Sequence, residues 1–136
     1  MSSPPAPPAP RALVVAHGQL AAGLVSGVEA IAGRGTSFIA LSNQGLGPAD
    51  IERAIRESVE GASLEVVFTD LPMGSCAIAA RKVQRLRPGL LVVTGVNLAT
   101  LLDFAMADGM GAREAAEKAV ARGRDALGAV GQPHAG

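Results

Sequence analysis

The sequence is poor in the residues that mark several common classes of protein. Its 136 residues include one cysteine, no tryptophan, no tyrosine and three phenylalanines. A single cysteine cannot form an internal disulfide, which favours a reducing compartment. The scarcity of aromatic residues removes the stacking surfaces that bind single-stranded nucleic acid. Twelve basic residues balance twelve acidic ones, so the net charge gives no reason to expect nucleic acid or an anionic membrane as a partner.

Long apolar runs are absent as well. No segment approaches the roughly 20 consecutive apolar residues that a transmembrane helix requires. Residues 1–10 are rich in proline and alanine, lack the charged start and apolar centre of a secretory signal, and are expected to form a disordered tail. These features predict a soluble, cytoplasmic protein that is not embedded in a membrane. Apolar residues make up 49% of the chain, enough for one domain with a buried sheet over residues 11–130.

Short apolar runs alternate with segments of helical periodicity along this domain. Strands are predicted at residues 12–16, 36–41, 64–69 and 90–94. Helices are predicted at residues 19–31, 75–86, 98–107 and 112–130, with one more beginning at Pro48, and residues 131–136 are expected to be a frayed end. The first helix should bury one stripe of side chains, namely Leu20, Leu24, Val28 and Ile31. This alternation predicts an α/β fold, a doubly wound and mainly parallel sheet of order 2-1-3-4 with helices on both faces.

The first predicted strand stops at His17, which Gly18 follows. In the order 2-1-3-4 the neighbouring third strand ends at Asp70, and ligands bind where the chain reverses direction between two such strands. A carboxylate that accepts a hydrogen bond from one ring nitrogen fixes the tautomer and leaves a lone pair on the other nitrogen. The pair His17 and Asp70 therefore predicts a nucleophile or a general base.

Two predicted helices begin beside this pair. One follows Gly18, and the other begins near Gly74 and Ser75. Helix N-termini present unpaired backbone N–H groups and the positive end of the helix dipole, and they bind phosphate well. The predicted phosphate-binding residues are therefore Gly18, Gly74 and Ser75. Gly74 allows the backbone to approach closely, and Ser75 adds a hydroxyl donor. A nucleophilic imidazole next to such a cradle predicts a phosphohistidine at His17.

Simpler explanations exist for each of these residues. A histidine at a strand end is more often structural, and Asp70 equally suits a helix cap or a turn. Cys76 lies near a helix start, which could lower the pKa of its thiol, although a lone cysteine is more often a small buried apolar residue. No metal site is expected, because the sequence shows no clustered ligand spacing. A solvated helix face explains the basic side chains better than a docking site does: Arg81, Lys82, Arg85 and Arg87.

Three segments carry a family resemblance: Val14-Val15-Ala16-His17-Gly18 with Leu20-Ala21 and Gly23-Leu24, Phe68-Thr69-Asp70 with Gly74-Ser75, and Gly95-Val96-Asn97 with Leu101-Leu102. In this order and spacing they resemble the enzyme IIA component of the mannose-family (mannose/fructose/N-acetylgalactosamine type) phosphoenolpyruvate-dependent sugar phosphotransferase system. The resemblance spans about residues 11–130. It departs from the family at Met73-Gly74-Ser75-Cys76, where the family has Gly-Gly-Ser-Pro, and at Asn97-Leu98-Ala99-Thr100, where the family has Asn-x-Pro-Met.

The resemblance implies a phosphotransferase that forms a homodimer and needs no metal or other cofactor. It implies that His17 accepts a phosphoryl group from the phosphocarrier HPr and passes it to an enzyme IIB partner in sugar uptake or its regulation. Asp70 would orient the histidine, Gly74 and Ser75 would bind the phosphate, and Asn97 is a candidate site-lining residue. Three alternatives stay open: a purely regulatory phosphocarrier, a phosphoryl donor of the dihydroxyacetone kinase type, and a non-catalytic flavodoxin-like module that binds an anion.

Overall fold

The computed structural model describes residues 8–134. Residues 1–7 of the predicted tail and residues 135–136 of the predicted frayed end lie outside the described residues. Within residues 8–134, no helix combines the length and the apolar character that crossing a bilayer requires.

Parallel strands and helices alternate along the chain. The strands are β1 (Ala12–Ala16), β2 (Phe38–Ser42), β3 (Val66–Thr69) and β4 (Leu91–Val93). The helices are α1 (Leu20–Ala32), α2 (Pro48–Gly61), α3 (Ser75–Leu86), α4 (Leu98–Met106) and α5 (Ala112–Ala126). All pairs in the sheet are parallel and the strand order is β2-β1-β3-β4, which confirms the predicted topology.

Strand β1 lies inside the sheet and separates two hydrophobic cores. Successive side chains of a strand point to opposite faces, and both faces of β1 are fully buried. Ala12, Val14 and Ala16 pack into the core that α1, α4 and α5 cover. Leu13 and Val15 pack into the core that α2 and α3 cover. The prediction of helices on both faces is therefore confirmed, and the end of β1 emerges between two layers of helices.

The three phenylalanines meet in one of these cores. The ring centroids of Phe38, Phe68 and Phe104 lie 5.2 to 6.3 Å apart, two of the three pairs edge to face. Arg11 covers the cluster, with its guanidinium carbon 5.1 Å from the centroid of Phe104, and donates a hydrogen bond to the carbonyl of Met110 at 2.7 Å. The few aromatic residues thus hold β2, β3 and α4 together and do not form a ligand-binding surface.

The predicted buried stripe of α1 is wrong at both ends. Leu20 and Ile31 are 46% and 66% exposed, whereas Ala21 and Val28 are fully buried. The buried positions follow helical spacing from Ala21, a small residue that belongs to the same core as Val14 and Ala16 of β1. The predicted stripe was based on the large apolar side chains, and these lie partly on the neighbouring face of the helix.

Several element bounds also differ from the predicted ones. Residues 36 and 37 belong to a single 3-10 turn, Gly35–Ser37, so that β2 begins at Phe38. Strand β3 begins at Val66 and β4 spans only three residues. Helix α5 ends at Ala126 rather than at residue 130. Two glycines follow that end, at positions 128 and 131, and glycine disfavours the helix interior by about 1 kcal/mol.

Candidate functional site

His17 lies at the carboxyl end of β1, where the chain leaves the sheet. Its side chain is 43% exposed, although β1 itself is buried. Gly18 has a φ of +58°, in the left-handed region that favours glycine, and lets the chain turn immediately into α1. The imidazole is therefore held at the surface by a rigid strand behind it and by a tight turn after it.

Asp70 holds both the backbone and the ring of His17. The parallel pairing of Val15 with Thr69 brings the ends of β1 and β3 together. One carboxylate oxygen, Asp70 Oδ2, accepts hydrogen bonds from the His17 backbone N–H at 3.0 Å and from ring Nδ1 at 2.8 Å. Because an ionised carboxylate can only accept, Nδ1 carries the proton in the neutral form of the ring and Nε2 keeps its lone pair.

The environment keeps Asp70 ionised. Burial of its side chain, which is only 8% exposed, acts to raise the pKa of the carboxyl. Together, the hydrogen bonds from the backbone and the ring of His17 outweigh the effect of burial, so the pKa of Asp70 lies below its ordinary value. The second oxygen, Oδ1, is buried and has no hydrogen-bond partner within residues 8–134. Asp70 therefore makes both of its hydrogen bonds to His17 through a single oxygen atom.

Nitrogen Nε2 faces the N-terminus of α3. The hydroxyl oxygen of Ser75 lies 3.3 Å from His17 Nε2. Gly74, the residue before the helix, has a φ of +121° and no side chain to cap the first turn. A Cβ at Gly74 would lie 3.6 Å from Cε1 of the imidazole. The predicted residues Gly74 and Ser75 are thus next to the ring, and the free N–H groups of the first turn of α3 are available for an anion.

Cys76 completes a group of three side chains that could ligate a metal. The candidate ligand atoms of His17, Asp70 and Cys76 lie within 4.8 Å of one another, a cluster that the sequence did not predict. Sγ lies 4.0 Å from Nδ1, and the thiol is fully buried. Burial, and then the charge of Asp70, raise the pKa of this thiol, which opposes the thiolate that zinc requires. The 2.8 Å contact between Nδ1 and Oδ2 is that of a hydrogen bond.

The remaining two predicted site residues have other partners. Asn97 caps α4, since its Oδ1 accepts from the backbone N–H and the hydroxyl of Thr100, and its Nδ2 donates to the carbonyl of Gly123. Its side chain thus joins α4 to α5 and makes no hydrogen bond with His17 or Asp70. The N–H of Gly18 donates to Asn43 Oδ1 at 3.1 Å and is not free for a phosphate.

Known proteins match this chain closely in structure but share little of its sequence. No family model matches the sequence, and a search of curated proteins finds no match either. Among solved structures, EIIA of the phosphotransferase system from Streptococcus agalactiae is 21% identical with a TM-score of 0.78 and covers 88% of this chain and 95% of its own. The mannose/sorbose-specific IIA subunit from Enterococcus faecalis is 20% identical with a TM-score of 0.75 and covers 93% and 98%. This chain has the fold of IIA subunits.

A third structure with this IIA fold is the protein associated with the fucose utilization operon of Streptococcus pneumoniae. It is 23% identical to this chain with a TM-score of 0.75, and the match covers 88% of this chain and 91% of the other. Each of the three matches covers most of both chains. The predicted likeness to mannose-type IIA subunits thus extends over the fold as a whole.

Two residues that contact the site were not singled out in the sequence. Ser42 and Asn43 follow one another at the end of β2, and their side chains bond to the backbone of Gly18. The sequence showed only a polar, glycine-rich loop at this point. The signal that could have found them is topological: β2 is predicted next to β1, so the residues at the end of β2 must lie beside the residues after β1.

Proposed function

We propose that this protein is a phosphoryl carrier of a sugar phosphotransferase system. His17 Nε2 would accept a phosphoryl group from phospho-HPr and pass it to an enzyme IIB partner, in sugar uptake or its regulation. We further propose that the protein acts in the cytoplasm as a homodimer. The observation that carries the proposal is the asymmetry of the imidazole, with Nδ1 bonded to Asp70 and Nε2 facing Ser75 and the N-terminus of α3.

The proposed transfer needs no metal or nucleotide, because the phosphoryl group arrives on an activated nitrogen. The lone pair of His17 Nε2 forms the new N–P bond while the P–N bond of the donor phosphohistidine breaks. The electron pair of that bond stays with the imidazole of the donor. The proton on His17 Nδ1 stays in place, and the carboxylate of Asp70 stabilises the positive charge that the ring acquires. The transfer then depends mainly on positioning and on charge stabilisation.

The surface around His17 supports a protein as the reaction partner. Apart from His17 and Asp70, the loops that follow the four strands contain no charged residue. Large apolar side chains, each 36% to 66% exposed, lie in these loops or in the first turns of the helices that follow; they are Leu20, Leu46, Leu71, Met73 and Ile78, the apolar collar. Exposed apolar side chains at the edge that carries a reactive group suit contact with another protein.

Phosphorylation by purified components tests the proposal directly. The protein is incubated with phosphoenolpyruvate, enzyme I and HPr, and its mass and bound phosphate are measured. We expect one acid-labile, base-stable phosphate per chain, which His17→Ala abolishes. His134→Ala is the matched control, because His134 lies beyond α5 and should leave labelling unchanged. A binding module that holds an anion without transfer would take up no label, and labelling that survives in His17→Ala would overturn the assignment.

The same assay tests the role of Asp70. Asp70→Asn keeps the size of the side chain and removes the charge that stabilises the ring. We expect phosphorylation of His17 to be slower by roughly tenfold or more. An unchanged rate would show that Asp70 does not assist the transfer. Adding a candidate enzyme IIB to the labelled protein then tests the second step, as loss of label from His17 and its gain by the acceptor.

A further inference from the structure

Both backbone polar groups of Gly18 are bound by two consecutive residues at the end of β2. Ser42 Oγ donates to the carbonyl of Gly18 at 2.6 Å. Asn43 Oδ1 accepts from the N–H of Gly18 at 3.1 Å. The orientation of the Asn43 amide follows from its partner, because a backbone N–H can only donate and must face the oxygen. We call this pair of side chains the Gly18 clamp.

The clamp is anchored in the sheet rather than in a loose loop. Ser42 is the last residue of β2 and pairs with Ala16 of β1. The backbone N–H of Asn43 extends this pairing with a hydrogen bond of 3.2 Å to the carbonyl of Ala16. Ser42 Oγ also accepts from the backbone N–H of Gln44 at 3.0 Å, which fixes the hydroxyl in place. The clamp therefore transmits the position of β2 to the residue directly after His17.

The clamp holds the main chain directly after His17. Gly18 has no side chain and accesses a wide range of backbone conformations, so nothing within the residue itself holds its φ at +58°. Its neighbour His17 is bonded to Asp70 on the β3 side through the backbone N–H and Nδ1. With the clamp on the β2 side, the main chain that carries the imidazole is held from both neighbouring strands.

We infer that Ser42 and Asn43 are positioning residues for phosphoryl transfer, which hold the His17–Gly18 turn so that Nδ1 stays on Asp70 and Nε2 faces α3. The inference rests on the proposed function of His17. It also assigns the phosphate contacts to one side of the site: the clamp occupies the N–H of Gly18, so the donors come from Gly74, Ser75 and the first turn of α3.

The test compares variants of the clamp with matched controls. Ser42→Ala and Asn43→Ala each remove one hydrogen bond to Gly18, whereas Ser42→Thr keeps the hydroxyl. Gln44→Ala alters the next, exposed side chain of the same loop. Ser58→Ala removes a hydroxyl whose one hydrogen bond within residues 8–134 goes to the carbonyl of Ala54 in α2. For each protein, the single-turnover rate with phospho-HPr and the ¹⁵N shifts of the His17 ring are measured well below the thermal midpoint.

We expect Ser42→Ala and Asn43→Ala to slow phosphorylation roughly threefold to tenfold, the effect of one lost hydrogen bond. The ring shifts should move from the Nδ1–H form toward a mixture of the two tautomers. Ser42→Thr should restore both readouts, Ser58→Ala should leave both unchanged, and Gln44→Ala should leave the ring shifts unchanged. These ring shifts are the readout that a purely structural role would not alter in a folded protein.

Two results would overturn the inference. Clamp variants with the rate and ring shifts of the unmodified protein would show that the turn holds itself. A lower rate with unchanged ring shifts would place the effect on docking of the partner. Either result leaves the proposed function intact as long as His17 is labelled. A failure of labelling in the unmodified protein would instead refute the proposed function, while the ring shifts would still report on the geometry.

Discussion

At the scale of single residues, the site makes the two nitrogens of one imidazole unequal. In a free neutral imidazole, the proton exchanges between Nδ1 and Nε2. Here Nδ1 lies 2.8 Å from a carboxylate oxygen, whereas Nε2 lies 3.3 Å from a hydroxyl that can either donate or accept. The same oxygen of Asp70 accepts the backbone N–H of His17, so one atom fixes both the main chain and the tautomer. The hydrogen bond at Nδ1 thus determines that Nε2 is the nitrogen with a free lone pair.

The stability of the fold should report the state of Asp70. Its pKa in the folded protein lies below the ordinary value of 3.8, so on acidification the unfolded chain binds this proton first. The carboxylate therefore contributes stability that is fully present above that value and is lost as pH falls through the lower pKa of the folded state. We expect the free energy of unfolding to fall less steeply with acid in Asp70→Asn than in the unmodified protein.

Denaturant unfolding at a series of pH values from neutral down to about pH 2 measures the difference. Asp125→Asn, the same substitution at an exposed aspartate of α5, is the matched control. Parallel profiles for Asp70→Asn and the unmodified protein would show that the hydrogen bonds to His17 do not favour the ionised carboxyl.

At the scale of elements, α4 and α5 pack so closely that one position between them accepts no side chain. Gly123 of α5 lies against Thr100 of α4, and a Cβ there would come within 1.9 Å of Thr100 Oγ1 and 3.1 Å of Asn97 Oδ1. Asn97 also donates to the carbonyl of Gly123 at 2.9 Å. The cap of α4 and the close approach of α5 are thus one structural unit.

Two helical glycines should respond in opposite directions to the same substitution. Gly123→Ala forces Thr100 and Asn97 to move, and overpacking of this kind costs about 1 to 3 kcal/mol of stability. Gly23→Ala in α1 meets no atom within 4 Å, so the better helix propensity of alanine should stabilise the fold by about 0.5 to 1 kcal/mol. Urea unfolding of both variants measures the signs. A stable Gly123→Ala would show that α5 can shift away from α4.

The sequence predicted which elements form better than it predicted which side chains they bury. Strand β1 was recognisable because both of its faces are buried, which gives an unbroken apolar run. The stripe of α1 was misassigned because the small Ala21 is buried in the core while the larger Leu20 is 46% exposed. The size of an apolar side chain is therefore a weak guide to its burial where a small residue lets a helix pack closely against its neighbours.

The candidate site was predictable as far as strand order places residues. His17 and Asp70 follow from the ends of adjacent strands in the order 2-1-3-4. Ser42 and Asn43 lie at the end of β2 for the same topological reason, but serine and asparagine are ordinary turn residues that nothing in the local pattern distinguishes. Their bonds to Gly18 depend on side-chain rotamers, which no pattern in the sequence encodes.

At the scale of the whole molecule, the loops at the edge that carries His17 hold few charges. These loops, which follow the four strands, are uncharged except for His17 and Asp70, while most charged side chains lie on the helices. A partner that docks on this edge must therefore gain most of its affinity from apolar contact and hydrogen bonds. Long-range electrostatic attraction contributes little there, and docking should change only slightly with salt.

The apolar collar should affect docking without affecting the chemistry. Ile78 lies in the first turn of α3, and its aliphatic side chain is 49% exposed and cannot form a hydrogen bond. We expect Ile78→Ser to raise the KM for phospho-HPr about threefold to tenfold, because a partly buried apolar contact is lost, and to leave kcat within about twofold. Steady-state phosphorylation at several concentrations of phospho-HPr separates the two constants.

The opposite end of the molecule offers a matched control for this variant. Ile31 is 66% exposed in the last turn of α1, far along the helix from the end that adjoins His17. Ile31→Ser makes the same chemical change, so its KM should equal that of the unmodified protein. A KM that rises equally in both variants would indicate a general effect of the substitution on the fold. A KM that rises steeply with salt in the unmodified protein would show that charged residues along the helices, rather than the collar, guide the partner to His17.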